Sequence, residues 1–394
     1  MTFSLLAIAT LASGLLIGLI PTLVDGVKAP LRARLNLSES QLDWVVRLFY
    51  LTWLPAMPLA GWLLDIWFSK EPDIRHYKDI LFIGLIALVL GIAWLALARS
   101  HLALLLNAPF LGLAYSFVTT ATVRLMTVAF FTNADDATRK LNIASLNLGF
   151  IAVGLGALLG PWIILAIERW WGYRHGLLYL SILLILPAAL TVLADEPKTP
   201  AAVSSWEDVL THPQLALIVG IILVYFAIEN CLEFWPESYL KELGYQERGL
   251  HWGMLFFWLA FIATRAGTAW WLYMHPAQGF GLTLVLVIVS ACILGNLVGG
   301  YEIGSGSFGF WMVGACYGPL LPCFLGIALD MRSEPLPTSA LGALLALSGL
   351  DTLFMRPLMN VFGKGRSARA VMCVPTVLAL LLATLLLFLW FLRD

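Results

Sequence analysis

Stretches of about twenty consecutive apolar residues, separated by short polar loops, recur along the whole chain and limit its fold more than any other feature. The hydrocarbon core of a bilayer is about 30 Å thick and a helix rises about 1.5 Å per residue, so about twenty apolar residues make one crossing. In that medium a backbone N–H or C=O has no water to turn to, and a helix satisfies its own. The runs fall near residues 3–24, 42–66, 79–98, 102–124, 142–165 and 177–195, then 213–235, 250–273, 280–299, 307–330, 339–362 and 371–391. The expected fold is an all-α membrane protein of twelve transmembrane helices. Only 12% of the residues are charged, which leaves too little polar chain for a large aqueous domain. A net charge of −1 gives no reason to expect a nucleic-acid partner. The opening run "MTFSLLAIATLASGLLIGLIPTL" lacks a charged n-region and a cleavage site, and reads as a retained first span rather than a signal peptide.

Between the sixth and seventh runs stands "DEPKTPAAVSSWEDVLTHP", where Pro197, Pro200 and Pro213 break helix and Ser204 with Glu207 has capping-box spacing. The chain therefore divides into an N-terminal six-helix bundle (1–195), a linker (196–212) and a C-terminal six-helix bundle (213–394). Six plus six is the division expected of a secondary transporter. Lys and Arg are spread almost evenly over the loops of the two sides, so charge alone sets no orientation. The five cysteines lie inside apolar runs and are expected to be packing residues. "GSGSFG" (304–309) has no strand before it, and the six histidines are scattered. Neither a nucleotide, a metal nor another cofactor is expected, and the loops hold no convincing catalytic set, so the chain is not expected to be an enzyme.

The loop after the second run begins "GWLLDIWFSK" (61–70), which resembles the Gly-x-Leu-x-Asp-Arg-x-Gly-Arg-Lys motif of the major facilitator superfamily. Gly61, Leu63, Asp65 and Lys70 match, while Ile66 and Phe68-Ser69 replace the first Arg and the later Gly-Arg. A small residue there permits close helix contact, and an aspartate can pair with a cation or cap a neighbouring helix. The fifth run, "LNIASLNLGFIAVGLGALLGPWI", resembles the superfamily's fifth span, with Gly156 and Gly160 on one packing face and Pro161 expected to loosen the helix. "VYFAIENCLEFWPESYL", "FFWLAFIATRAGTAW" and "GPLLPCFLGIALD" resemble the seventh, eighth and tenth spans of the fucose permease-like branch, the sugar and proton symporters. The resemblance implies the major facilitator fold, a cell (inner) membrane location with both termini cytoplasmic, a small-molecule solute and a coupling proton or sodium ion. The chain departs from that branch at Asn107, where an Arg is common in span four, and in lacking membrane-buried acids in spans one and four beyond Asp25.

Ionisable groups inside the apolar runs carry most of the functional information, because a charge at mid-bilayer costs about 3 kcal/mol or more unless paired or wet. Glu229, Glu233 and Glu237 recur every fourth residue. With span seven starting near Leu215, Glu229 lies about 21 Å along the helix and well inside, whereas the other two fall at or beyond the rim. Pro236 should kink or end the helix just past Asn230 and Trp235. Asp351 is close to the middle of span eleven, with Arg356 five residues on and so off its helix face. Arg265 in span eight is read chiefly as a structural, gate-like residue. Arg47 near the outer end of span two is expected to snorkel or to pair with Asp43. Asn147 in span five is a candidate hydrogen-bonding residue for a polar solute.

These residues favour a monomeric secondary transporter that moves a small polar, sugar-like solute by alternating access with proton or ion coupling. The alternative is an organic or inorganic anion carrier using Arg47, Arg265 and Arg356. A membrane-embedded enzyme or lipid-handling scaffold is the distant alternative.

Overall fold

Ser4 and Ser100 mark where two of the spans begin: each side chain accepts a hydrogen bond from the backbone N–H three residues on, at 3.2 Å, which satisfies one otherwise orphaned donor of the first turn. The computed structural model describes residues 4–70, 75–131, 141–195, 213–245, 247–299, 306–331 and 336–392. Among these, helix is the only extended regular structure. In chain order the helices are α1 (Leu5–Gly26), α2 (Lys28–Leu35), α3 (Glu39–Lys70), α4 (Arg75–Leu97), α5 (His101–Ala129), α6 (Asn142–Leu183) and α7 (Ile185–Leu193). They are followed by α8 (Pro213–Phe234), α9 (Pro236–Glu242), α10 (Glu247–Met274), α11 (Gly279–Gly299), α12 (Gly306–Tyr317), α13 (Leu320–Asp330), α14 (Thr338–Gly363), α15 (Ala368–Val371) and α16 (Cys373–Phe391). The linker proposed at 196–212 lies outside the described residues.

Nine helical segments among the described residues are long and apolar enough to cross a membrane. One of them, Asn142–Leu193, folds back at Gly172, whose φ of 69° is open to glycine at little cost, and so makes two passes. The interruption falls there and not at Pro161, which sits on an exposed face inside α6. With α3 and α14, both of crossing length, the described helices accommodate twelve passes.

The contacts group the chain into two units. The first comprises Met1–Ala134, Ala152–Val203 and Leu336–Gly349; the second comprises Asp135–Ile151, Ser204–Pro335 and Leu350–Asp394. The start of α6 thus packs in the second unit, and the start of α14 in the first. Glycines explain both placements. In the first unit a Cβ at Gly61 or Gly342 would overlap backbone across the α3–α14 contact, at Thr338 and Met57 respectively. In the second, Gly279 and Gly326 leave the space that Ile143 fills. Within the first unit Gly18 and Gly156 bring α1 and α6 together, each lying against a carbonyl oxygen of the other helix, and a Cβ added at Gly160 would stand 2.7 Å from the Thr22 side chain. Gly156→Leu is expected to destabilise this seam by about 3 kcal/mol, since neither backbone can yield. The check is the folded fraction recovered by size exclusion in detergent; an unchanged yield and Tm would refute the close-packing role.

Candidate functional site

Glu229 projects from α8 in the second unit and is half-buried. The hydroxyl of Tyr225, one turn earlier, donates to its Oε1 at 2.9 Å. Tyr225 is itself fully buried, stacked on Tyr317 at the end of α12 with centroids 6.1 Å apart and edge-on to Phe324 of α13 at 5.7 Å. The carboxylate is therefore oriented by a phenol that aromatic packing holds in one place, the arrangement by which a membrane-embedded acid is kept in a defined geometry. Neither Tyr225 nor Tyr317 was a sequence candidate. The available signal was a tyrosine four residues before an intramembrane acid, because a hydroxyl in an apolar run needs a partner on its own helix face or the next.

Arg265 of α10 shares this neighbourhood, close enough to interact electrostatically with both Tyr225 and Glu229. It is 3% exposed and has no ion-pair partner among the described residues. Instead Nε donates to the Gly318 carbonyl at 2.7 Å and Nη1 to the Phe150 carbonyl at 2.6 Å, while the guanidinium lies over the rings of Phe261 at 4.4 Å and Phe150 at 5.5 Å. The Gly318 acceptor is a consequence of sequence. In a helix that carbonyl would receive the N–H of residue 322, and Pro322 has none. Arg265 thus ties together α10, the start of α6 and the break between α12 and α13. The first unit repeats the device: Pro21 leaves the Ile17 carbonyl without its helical donor, and the Tyr115 hydroxyl supplies one from α5 at 3.1 Å.

Asn147 is fully buried on α6, with Nδ2 donating to the Ile143 carbonyl at 2.9 Å and standing 3.6 Å from Cys323 Sγ. Asn230 is buried and donates to the Phe226 carbonyl on its own helix at 3.1 Å. Helix α8 ends at Phe234, Trp235 is buried at the junction, and Pro236 opens α9 where its missing N–H is no loss. Glu233 and Glu237 are exposed, and Glu237 pairs with Lys241 at 2.6 Å. Asp351 and Arg356 lie on α14, and their side chains fall outside the described residues. Of the cysteines, Cys231, Cys316 and Cys323 are buried; Cys292 and Cys373 are exposed, so core packing accounts for only three of the five.

In the first unit Asp65 accepts from the N–H groups of Thr338 and Ser339 at 2.7 and 2.9 Å and from the Ser339 hydroxyl at 2.5 Å, so it caps the start of α14 from the end of α3. Gly61, one turn before, admits that approach. Asp65→Ala leaves these donors unmet and is expected to cost about 2 kcal/mol, the upper range for a helix cap, with Asp65→Asn recovering part of it. A thermal-unfolding series on the three proteins would read this, and equal Tm values would exclude the cap. In the second unit Asp330 accepts from Asn142 Nδ2 at the start of α6 at 2.7 Å. Arg47 is exposed with its guanidinium over the Trp44 ring at 5.5 Å; Asp43 pairs with Lys28 at 3.7 Å, which also meets Asp25 at 3.3 Å.

The described helices, which accommodate twelve apolar passes with a few ionisable side chains inside them, define a polytopic membrane protein. The sequence profile of the Major Facilitator Superfamily matches residues 2–328, and the chain belongs to that family of transporters. Among solved structures it is similar to the superfamily transporter FucP in its outward conformation, with a TM-score of 0.76 at 14% identity over 97% of this chain and 98% of that one. A variant of the E. coli fucose:proton symporter FucP gives 0.74 at 14% over 98% of both chains, and the human organic anion transporter MFSD10 (TETRAN) gives 0.67 at 15% over 97% of both. No protein of curated function matches the sequence itself.

Proposed function

We propose that the protein is a secondary active transporter that moves a small neutral polar solute by alternating access, with Glu229 as the coupling or solute-binding acid. The observation that carries this reading is the half-buried Glu229 carboxylate held by the buried Tyr225 hydroxyl beside Arg265. An acid kept in one geometry within a span can exchange a proton, or a solute hydroxyl, without the chain around it rearranging. The similarity to a fucose:proton symporter supports a sugar-like solute and proton coupling. Asp65 on α14 and Asn142–Asp330 are the contacts proposed to open and close during the cycle, with Gly61, Gly156 and Gly160 setting helix approach and the Pro236 junction as a hinge. Asp351, Arg356, Asn147, Asn230 and Trp235 complete the proposed solute and coupling set. The cell membrane with both termini cytoplasmic, a monomeric state and the 1–195 and 213–394 bundles as the moving bodies belong to the same proposal.

An organic anion is the second reading, favoured by the absence of an ion-pair partner for Arg265 among the described residues and by the similarity to MFSD10. Two of the Arg265 donors are already committed to carbonyls and Arg47 is exposed over a tryptophan, which is why the neutral solute leads. The deciding experiment is uptake into proteoliposomes of radiolabelled hexoses and of carboxylates at two external pH values. Acid-stimulated hexose uptake supports the first reading; carboxylate uptake with no hexose uptake replaces it with the second.

A further inference from the structure

Trp44 and Trp62 stand at the two ends of one stripe along α3. Leu48, Leu51, Pro55 and Leu59 lie between them at helical spacing, and every member of the stripe is wholly or partly exposed. The rise from Trp44 to Trp62 is about 27 Å, close to the thickness of a bilayer's hydrocarbon core, and tryptophans favour its two edges. The stripe is therefore the part of α3 that acyl chains cover. Asp43 and Glu39, just before Trp44 in the chain, stand at the level of phospholipid headgroups.

At that level α2 and the start of α3 form a fixed corner. Helix α2 is held by Leu31, which is 2% exposed, and by Arg34, whose Nη1 donates to the Ala96 carbonyl past the end of α4 at 3.0 Å. Asn36 closes α2 in the left-handed region, and Ser38 and Gln41 cap α3 reciprocally: the Ser38 N–H donates to Gln41 Oε1 at 2.9 Å and the Gln41 N–H to Ser38 Oγ at 3.3 Å. Between the two helices lies an open groove of about 650 Å³, lined by Lys28, Arg32 and Asn36 on one side and by Glu39 and Asp43 on the other. Its walls carry opposite charge. Lys28 Nζ stands 3.7 Å from Asp43 Oδ1, and Arg32 Nη1 3.8 Å from Glu39 Oε2. Both separations exceed hydrogen-bonding distance, so these pairs attract without donor meeting acceptor. Lys28 also meets Asp25 at 3.3 Å, which fixes the ammonium at the α1 end of the groove.

We infer that this groove holds the headgroup of a zwitterionic phospholipid, phosphoethanolamine, with its phosphate on Lys28 and Arg32 and its ammonium on Glu39 and Asp43. A purely anionic headgroup would be set against two carboxylates, and a cationic one against two cations. A group with phosphate and ammonium a few bonds apart meets both walls. The Arg32 guanidinium presents a planar fork to phosphate oxygens, and the ammonium presents N–H donors to the carboxylates. A choline headgroup, fully methylated at nitrogen, has no such donor. The stripe from Trp44 to Trp62 selects a lipid over a free zwitterion, because it sets the groove where the bilayer itself supplies phosphate and ammonium side by side. The site belongs to the first unit and does not depend on which solute is carried.

The test is native mass spectrometry of the purified, delipidated full-length protein in detergent. It is titrated with phosphatidylethanolamine, phosphatidylcholine and phosphatidylglycerol of identical acyl chains, and with water-soluble glycerophosphoethanolamine as competitor. Wild type should bind the ethanolamine lipid about tenfold more tightly than either of the other two. Arg32→Gln and Glu39→Gln should each abolish that preference, whereas Arg169→Gln, an exposed position on α6 outside the groove, should keep it. Exposed pairs of this kind contribute little to folding, so the lipid-free Tm of each variant should stay within about 1 °C of wild type. Equal affinity for the choline lipid would remove the ammonium contacts, and equal or tighter binding of phosphatidylglycerol would reduce the groove to a general attraction for anions; either overturns the inference. An unchanged preference in Arg32→Gln or Glu39→Gln overturns it as well. Glycerophosphoethanolamine competing as strongly as the intact lipid would make a free zwitterion the occupant and overturn the lipid assignment.

Discussion

Glu229→Gln is expected to remove the stimulation of solute uptake by an acidic exterior and to lower gradient-driven uptake into proteoliposomes by about 10–150-fold. The magnitude corresponds to about 1.5–3 kcal/mol for a hydrogen bond to a charged group. Glutamine keeps the size of the side chain and can still accept from the Tyr225 hydroxyl, which the wild-type carboxylate does at 2.9 Å. What it cannot do is gain or lose a proton in the pH range of the experiment. Exchange of labelled for unlabelled solute across equal concentrations, which needs no proton gradient, should therefore survive in the variant. Glu237→Gln is the control: that carboxylate is exposed and pairs with Lys241, and such pairs contribute about 0–1 kcal/mol. Retention of acid-stimulated uptake by Glu229→Gln would remove this residue from the coupling role, and a matching loss in Glu237→Gln would show the effect to be general.

Arg265→Met should destabilise the protein by about 2 kcal/mol, the net of two lost charge-assisted bonds and the relief of a buried guanidinium. The Gly318 and Phe150 carbonyls would both lose the donors that now reach them at 2.7 and 2.6 Å. Pro322→Ala makes the argument specific. It returns an N–H to the position from which helix geometry would satisfy Gly318, so it should recover about 1 kcal/mol in the Arg265→Met background while giving less in wild type. Arg265→Lys should fall between, because a single ammonium cannot reproduce a planar fork that spans two helices. Thermal unfolding of the four variants reads this as a coupling energy. Strict additivity between positions 265 and 322 would show that the proline and the arginine do not act on one carbonyl.

Much of the fold was legible because its cause is local. A run of twenty apolar residues must become a helix wherever it sits in a bilayer, and Pro236 marks a helix boundary through chemistry confined to one turn. Gly61, Gly156 and Gly160 were identifiable as packing positions because they stand in stretches that resemble the superfamily's motifs, where a small residue permits close helix contact. The partners were not legible. Asp65 could have met a cation or a helix end; the structure gives it the first N–H groups of α14, 273 and 274 residues away in sequence. Arg265 was readable as a structural cation, but nothing near it pointed to the carbonyls of Phe150 and Gly318. Arg47 was expected to pair or snorkel, and its guanidinium is over Trp44. Glu229 stood out by depth, whereas Tyr225 became part of its site only when packing against Tyr317 and Phe324 located the hydroxyl.

The sequence by itself determined the helices and their number, because hydropathy and proline act within a single span. Tertiary structure alone decided which polar group meets which, since a buried donor or acceptor can be satisfied by any helix that comes within about 3 Å, and that approach depends on how glycines and aromatic rings pack between spans.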